Sequence, residues 1–191
     1  MLKLIWLLPL SLFLYACPYE SMVPLEKRPV EPVDSNLVGF WYGIVKDGSY
    51  YFGIEALEVS KQSDSVYSII RYGKAVKGDM ILPDTSYFTG YTSWIDGQQF
   101  MNIRGTVTYA EQRKGKKSPE LVTHTVYYLT AFNRSTDTLQ VKTITETFST
   151  QKTIRRSEDL KTLIIEMAQR KNIYDDLYSL SYRKIPKPAS F

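Results

Sequence analysis

The chain has 191 residues, 43% hydrophobic and 14% aromatic, with a formal net charge of +4. That length suffices for one domain with one core, and so small a charge gives no argument for a nucleic-acid partner. One cysteine and one histidine exclude an intramolecular disulfide and leave too few soft ligands for a structural zinc site, so no metal and no cofactor is expected.

At the N-terminus, Met1 and Lys3 precede an apolar run from Leu4 to Tyr15. The run is about a dozen residues long, against the roughly 20 that a membrane-spanning helix needs. That is the length of the apolar region of an export signal, and Pro9 inside it disfavours a permanent helix. The run ends in Leu14-Tyr15-Ala16-Cys17. This sequence resembles the lipobox of bacterial lipoproteins, with leucine three residues before the cysteine and a small residue directly before it. Tyr15 departs from the pattern, where a small residue is commoner. The resemblance implies that residues 1–16 are a signal peptide cleaved before Cys17. It also implies that Cys17 carries a thioether-linked diacylglycerol, often with a third, palmitate-type chain on its amino group. Two or more acyl chains anchor a protein stably. The expectation is a protein of the bacterial cell envelope, held to a membrane through lipidated Cys17. Pro18 stands where an aspartate retains some lipoproteins at the inner membrane, which points to the outer one.

Residues 17–35 read as the lipidated N-terminus and a tether. Pro18, Pro24, Pro29 and Pro32 alternate with charged residues, a composition that favours an extended, poorly ordered spacer. The folded domain is expected over residues 36–191. Alternating and β-branched runs predict strands at Val38–Lys46, Tyr50–Val59, Val66–Tyr72, Lys74–Ile81, Ser86–Ile95, Gln98–Tyr109, Val122–Asn133 and Leu139–Phe148. Polar turns separate them, and Asp96-Gly97 is the clearest hairpin signal. About eight strands at hairpin spacing predict an all-β meander, a barrel or a sandwich.

The period then changes. Over Ser157–Lys171, the residues Leu160, Leu163, Ile164, Met167 and Ala168 recur at steps of three and four and form one apolar stripe. Ser157 is a good candidate N-cap, and the sheet is the partner on offer for the stripe. A short strand is expected at Tyr178–Ile185, ended by Pro186 and Pro188.

Asn36, Gly39 and Trp41 match the N-x-x-G-x-W motif that opens the first strand of lipocalin-like, or calycin-like, barrels. A C-terminal helix packed on the barrel and a short strand after it also match. The chain is similar in its whole layout to lipocalin-like lipoproteins of Bacteroidetes-type bacteria, a resemblance that carries no established activity. It implies an antiparallel meander β-barrel with a C-terminal helix, in which Trp41 plugs one end. An arginine covers the tryptophan in those proteins, and Arg155, Arg156 and Arg183 are all candidates for that place here.

No catalytic residue is assigned. His124 lacks a nucleophile elbow in the sequence, and Glu55, Glu58 and Glu146 have no spacing that singles out a carboxylate pair. Asp47, Asp64, Asp79, Asp84, Asp96 and Asp137 are placed in turns. The basic run Arg113–Lys117 reads as a solvated hairpin tip or as a contact for anionic headgroups. Trp41, Tyr87, Tyr91, Trp94 and Phe100 are the candidate ligand-binding residues, because a barrel of this size holds either packed side chains or one small ligand. Two functions remain open. One is an envelope lipoprotein holding a small apolar or amphipathic ligand. The other is a structural lipoprotein that docks to another envelope protein and has a closed core.

Overall fold

The computed structural model describes residues 18–47, 50–77, 80–112, 118–148 and 154–189. Cys17 and the basic run Arg113–Lys117 lie outside the described residues. The main strands are β2 (Gly39–Asp47), β3 (Tyr50–Ser63), β4 (Val66–Lys77), β5 (Met80–Ile95), β6 (Gln98–Glu111), β7 (Glu120–Arg134), β8 (Thr138–Ile144) and β9 (Tyr174–Ile185). A two-residue strand, β1 (Glu20–Ser21), precedes them, and helix α1 (Ser157–Arg170) lies between β8 and β9.

Each of β2 to β8 pairs antiparallel with the next in sequence, and β9 then pairs with both β8 and β2. The result is a closed eight-stranded antiparallel meander barrel with one C-terminal helix, as the strand pattern predicted. Asp96 and Gly97 both have positive φ, 47° and 75°. That is the pattern of the type I′ turn whose twist suits a two-residue hairpin.

The count of eight hides an exchange. The expected strand at Lys74–Ile81 is two strand ends, with Lys77 paired to Met80; Gly78 and Asp79 lie outside the described residues. The eighth strand is β9, four residues longer at its start than expected, and it closes the wall. Asp84 correspondingly sits within β5 opposite Gly73, not in a turn. The strand expected to reach Phe148 stops at Ile144, followed by a short 3-10 helix at Glu146–Phe148.

Ser157 is not the N-cap. Arg156 holds that position in extended conformation without a side-chain cap, and its guanidinium grips Asp159 at 2.8 and 2.5 Å instead. Ser157 is the first helical residue and is buried. The stripe behaves as expected at Leu160 and Ile164, which are buried, whereas Ala168 is exposed.

Side chains alternate between the two faces of each strand. Met101 and Phe132 belong to the cluster inside the barrel. Phe100, Leu129 and Ala131 belong to a second cluster on its outer face, under α1.

The second cluster corrects the reading of residues 18–35. Leu25 is fully buried in it, beside Leu160 and Ile164. The Leu25 N–H donates to the Oδ1 of Asn102 at 2.7 Å, and the Tyr91 hydroxyl donates to the Glu26 carbonyl. Further on, the Val33 N–H donates to the Asp64 carbonyl at 2.8 Å and the Asp34 N–H to the Tyr67 hydroxyl at 2.7 Å. The segment is a strap packed along the barrel rather than a spacer. The prolines keep it out of helix and largely out of the ladder; Tyr19, Val23, Leu25 and Val33 dock, while Met22 and Val30 stay exposed.

The strap also completes the wall. β8 is short, and beyond Thr130 the free side of β7 is taken over by β1, with Glu20 opposite Tyr128 and Ser21 opposite Tyr127. Pro18 bridges to Thr145, and the Tyr19 N–H donates to the Ile144 carbonyl at 2.8 Å.

Candidate ligand cavity

The barrel is closed at the end where β2 begins. The strap crosses that end, and Leu37, Trp41 and Tyr67 are buried there. The Trp41 indole N–H donates to the Leu37 carbonyl at 2.8 Å. The cation over the Trp41 ring is Lys184, its Nζ 5.3 Å from the ring centroid and 2.8 Å from the Asn36 carbonyl that accepts its hydrogen bond. None of Arg155, Arg156 and Arg183 takes this place, and all three are exposed. Gly39 has φ 141°, and a Cβ there would stand 2.6 Å from Cε of Lys184. One lysine thus accounts for all three motif residues: it binds Asn36, crosses Gly39 and covers Trp41.

Above this floor lies a cavity of about 580 Å³. Its lower wall is apolar, with Val59, Ile69, Met101, Phe132 and Leu139 around it, and Leu57, Phe88, Ile103, Val141 and Leu180 continue upward. The volume falls in the range of small-molecule sites. Glycines on the inward face help to make it. A Cβ on Gly43 would stand 2.7 Å from the Tyr182 ring, and one on Gly105 would stand 2.9 Å from the Tyr128 ring, so these rings lie flat across bare backbone and leave the centre open.

The most deeply buried polar cluster facing this space centres on Glu55. Glu55 is buried and accepts from the Tyr182 hydroxyl at 2.5 Å. It also accepts from Nε of Arg71 at 2.7 Å, and Nη2 of Arg71 stands 2.6 Å away. A buried carboxylate is tolerated when it is paired and hydrogen-bonded in this way. Burial opposes the charge on Arg71, but the bond to Glu55 and the nearby charges outweigh it and hold the guanidinium above its usual range. Burial, with Glu55 adding to it, pushes the Tyr182 phenol well up. Nη1 of Arg71 reaches Asp84 at 3.5 Å, and both side chains are partly open to solvent. The mouth is therefore at this end, where Pro18 and Glu20 also line the cavity. Glu20 accepts from the hydroxyls of Tyr109 and Tyr128.

The structure does not gather the five candidate ligand-binding residues. Trp41 faces the interior, as part of its floor. Tyr91 and Phe100 lie on the outer face under the strap and helix, because the inward residues of that hairpin are Phe88 and Met101. Tyr87 is 74% exposed and Trp94 50% exposed. Tyr87 and Tyr91 share the outward face of β5, whereas Trp94 has the parity of inward Phe88 but stands beside the Asp96-Gly97 tip, at the edge of the closed end. The lining residues Glu55, Arg71 and Tyr182 come from strands far apart in sequence, and only their inward parity could have marked them.

His124 pairs with Glu111 at 2.7 Å and lies beside the Tyr109 ring. Glu55 and Glu58 are on opposite faces of β3, Glu58 being held outside by Tyr72 and Lys187. Among the described residues, no group of three or more His, Cys, Asp and Glu converges as a metal site. Compared with known protein families, curated proteins and solved structures, the chain gives no match in any of the three.

Proposed function

We propose that the protein is a lipid-anchored envelope lipoprotein of lipocalin-like type that holds a small apolar or amphipathic ligand in its barrel and has no enzymatic activity. The carrying observation is the cavity of about 580 Å³, lined chiefly by apolar side chains, with polar clusters at Glu55 and at Glu20. A structural barrel that only docks to a partner has no need of such a space and is better served by a filled core. The anchoring reading is supported by the Leu14–Cys17 pattern, and the outer membrane by Pro18 after the cysteine.

Titration of the full chain with the neutral fluorophore N-phenyl-1-naphthylamine tests the ligand reading. The wild type is expected to bind it with a blue-shifted emission. Ile103→Trp, which fills the cavity, is expected to lose binding while unfolding near the wild-type denaturant midpoint. Trp94→Ala is expected to bind as the wild type does. Equal binding by Ile103→Trp, or none by the wild type, would overturn the proposal. Metabolic labelling with an alkynyl fatty acid tests the anchor, with Cys17→Ser expected to lose the label.

A further inference from the structure

We infer that the mouth end of the barrel is seated on the lipid surface, so that the cavity opens toward the membrane. This rests on the anchoring of Cys17 proposed above and goes beyond it, because an anchor on a loose tether would leave the orientation free.

The first observation is where the chain enters the fold. Pro18 is part of the wall and lines the cavity mouth. Residue 17 is joined to it by one peptide bond, a Cα–Cα step of about 3.8 Å. Lipid attached there is held at the mouth with no spacer between.

The second observation is the apolar surface of the two ends. Both ends have aspartates in the sequence of their hairpin connections, Asp64, Asp96 and Asp137 at the closed end and Asp47 and Asp79 at the other, so the difference lies in the apolar side chains. At the closed end, Trp94 is the large exposed apolar residue, beside Asp96. Toward the mouth, the cross-strand pair Ile44 and Ile54 on β2–β3 is about half exposed. Leu121 stands out near the mouth end of β7, 75% exposed. Apolar side chains on two separate hairpins, both projecting at the end where the anchor enters, fit an interfacial layer better than water. The two hairpins flank the mouth, and Tyr109 touches the strap at Glu20.

The experiment uses the full, acylated protein in vesicles of phosphatidylethanolamine and phosphatidylglycerol, with intact mass establishing the acyl chains. A solvatochromic thiol-reactive dye is placed at Leu121→Cys or, at the other end, at Asp96→Cys. The thioether at Cys17 leaves the new thiol as the site of labelling. Doxyl-labelled lipid is expected to quench the dye at 121 several-fold more than at 96, and Ile54→Cys should repeat the result if Leu121→Cys folds poorly. Equal quenching at both ends of an acylated protein overturns the orientation and leaves the anchor standing. A wild-type chain whose mass shows no acylation overturns both.

Discussion

Lys184 ties β9 to the entry of β2: its ammonium covers the Trp41 ring at 5.3 Å and binds the Asn36 carbonyl at 2.8 Å. Lys184→Met keeps the aliphatic stem but loses a cation–π contact of about 0.5–1 kcal/mol and a hydrogen bond of about 0.5–1.5 kcal/mol. Denaturant unfolding should show a loss of about 1–2 kcal/mol, with Lys184→Arg losing less. Tryptophan emission should shift in the folded Met variant, because the ring loses its charged cover.

Gly43→Ala is expected to destabilise by about 1–3 kcal/mol, the usual range for overpacking, since the added Cβ would meet the Tyr182 ring at 2.7 Å. Tyr182→Phe keeps the ring and removes only the hydroxyl, which takes a donor from buried Glu55. An acceptor so deprived costs about 1–3 kcal/mol, more when charged. The pair together should lose less than the sum, because both act on the same ring. Thermal and denaturant unfolding of the two single variants and the double variant would measure it.

Alkaline pH should weaken the fold. Burial raises the Tyr182 phenol well above its ordinary value of 10.0, and burial also raises Tyr91. Tyr109 is pushed up to about 12, chiefly by its bond to Glu20. An unfolded chain gives up these protons first, so unfolding releases protons and stability falls as pH climbs past about 10. The denaturant midpoint should be insensitive to these groups at neutral pH and drop beyond that point. Tyr182→Phe should flatten part of the drop, and phenolate absorbance should rise in step with unfolding.

Leu25→Ala tests the strap. A fully buried leucine cut to alanine costs about 2–5 kcal/mol, whereas the exposed Val30→Ala should stay within about 0.5 kcal/mol. Two residues of a loose tether would be equally indifferent. Hydrogen exchange at the Leu25 amide, bonded to Asn102, should report protection close to that of the barrel.

The local signals carried far in the sequence. Asp96-Gly97 named its hairpin, the stripe on Leu160 and Ile164 named the helix, and the spacing of turns named the meander. What failed were relations between distant residues. The proline-rich segment has the composition of a spacer, and only its fit to a groove built by Asn102, Tyr91 and α1 reveals Leu25 as core. Tyr91 and Phe100 look like pocket aromatics until the pleat of β5 and β6 assigns them to the outer face. The Glu55–Arg71–Tyr182 cluster spans β3, β4 and β9, so no window of sequence contains it. The cover on Trp41 is a lysine adjacent to one of the arginines expected there.

The closure of the wall by β9 has a temporal consequence. The barrel stays an open sheet, with the edges of β2 and β8 unpaired, until residues 174–185 have been made. Pairing strands so distant in the chain is slow, and open edges invite association with other chains. A protein built this way stays unfinished until its C-terminal strand has been made. Its last dozen strand residues act as the latch, and a chain truncated before Tyr174 would aggregate rather than fold.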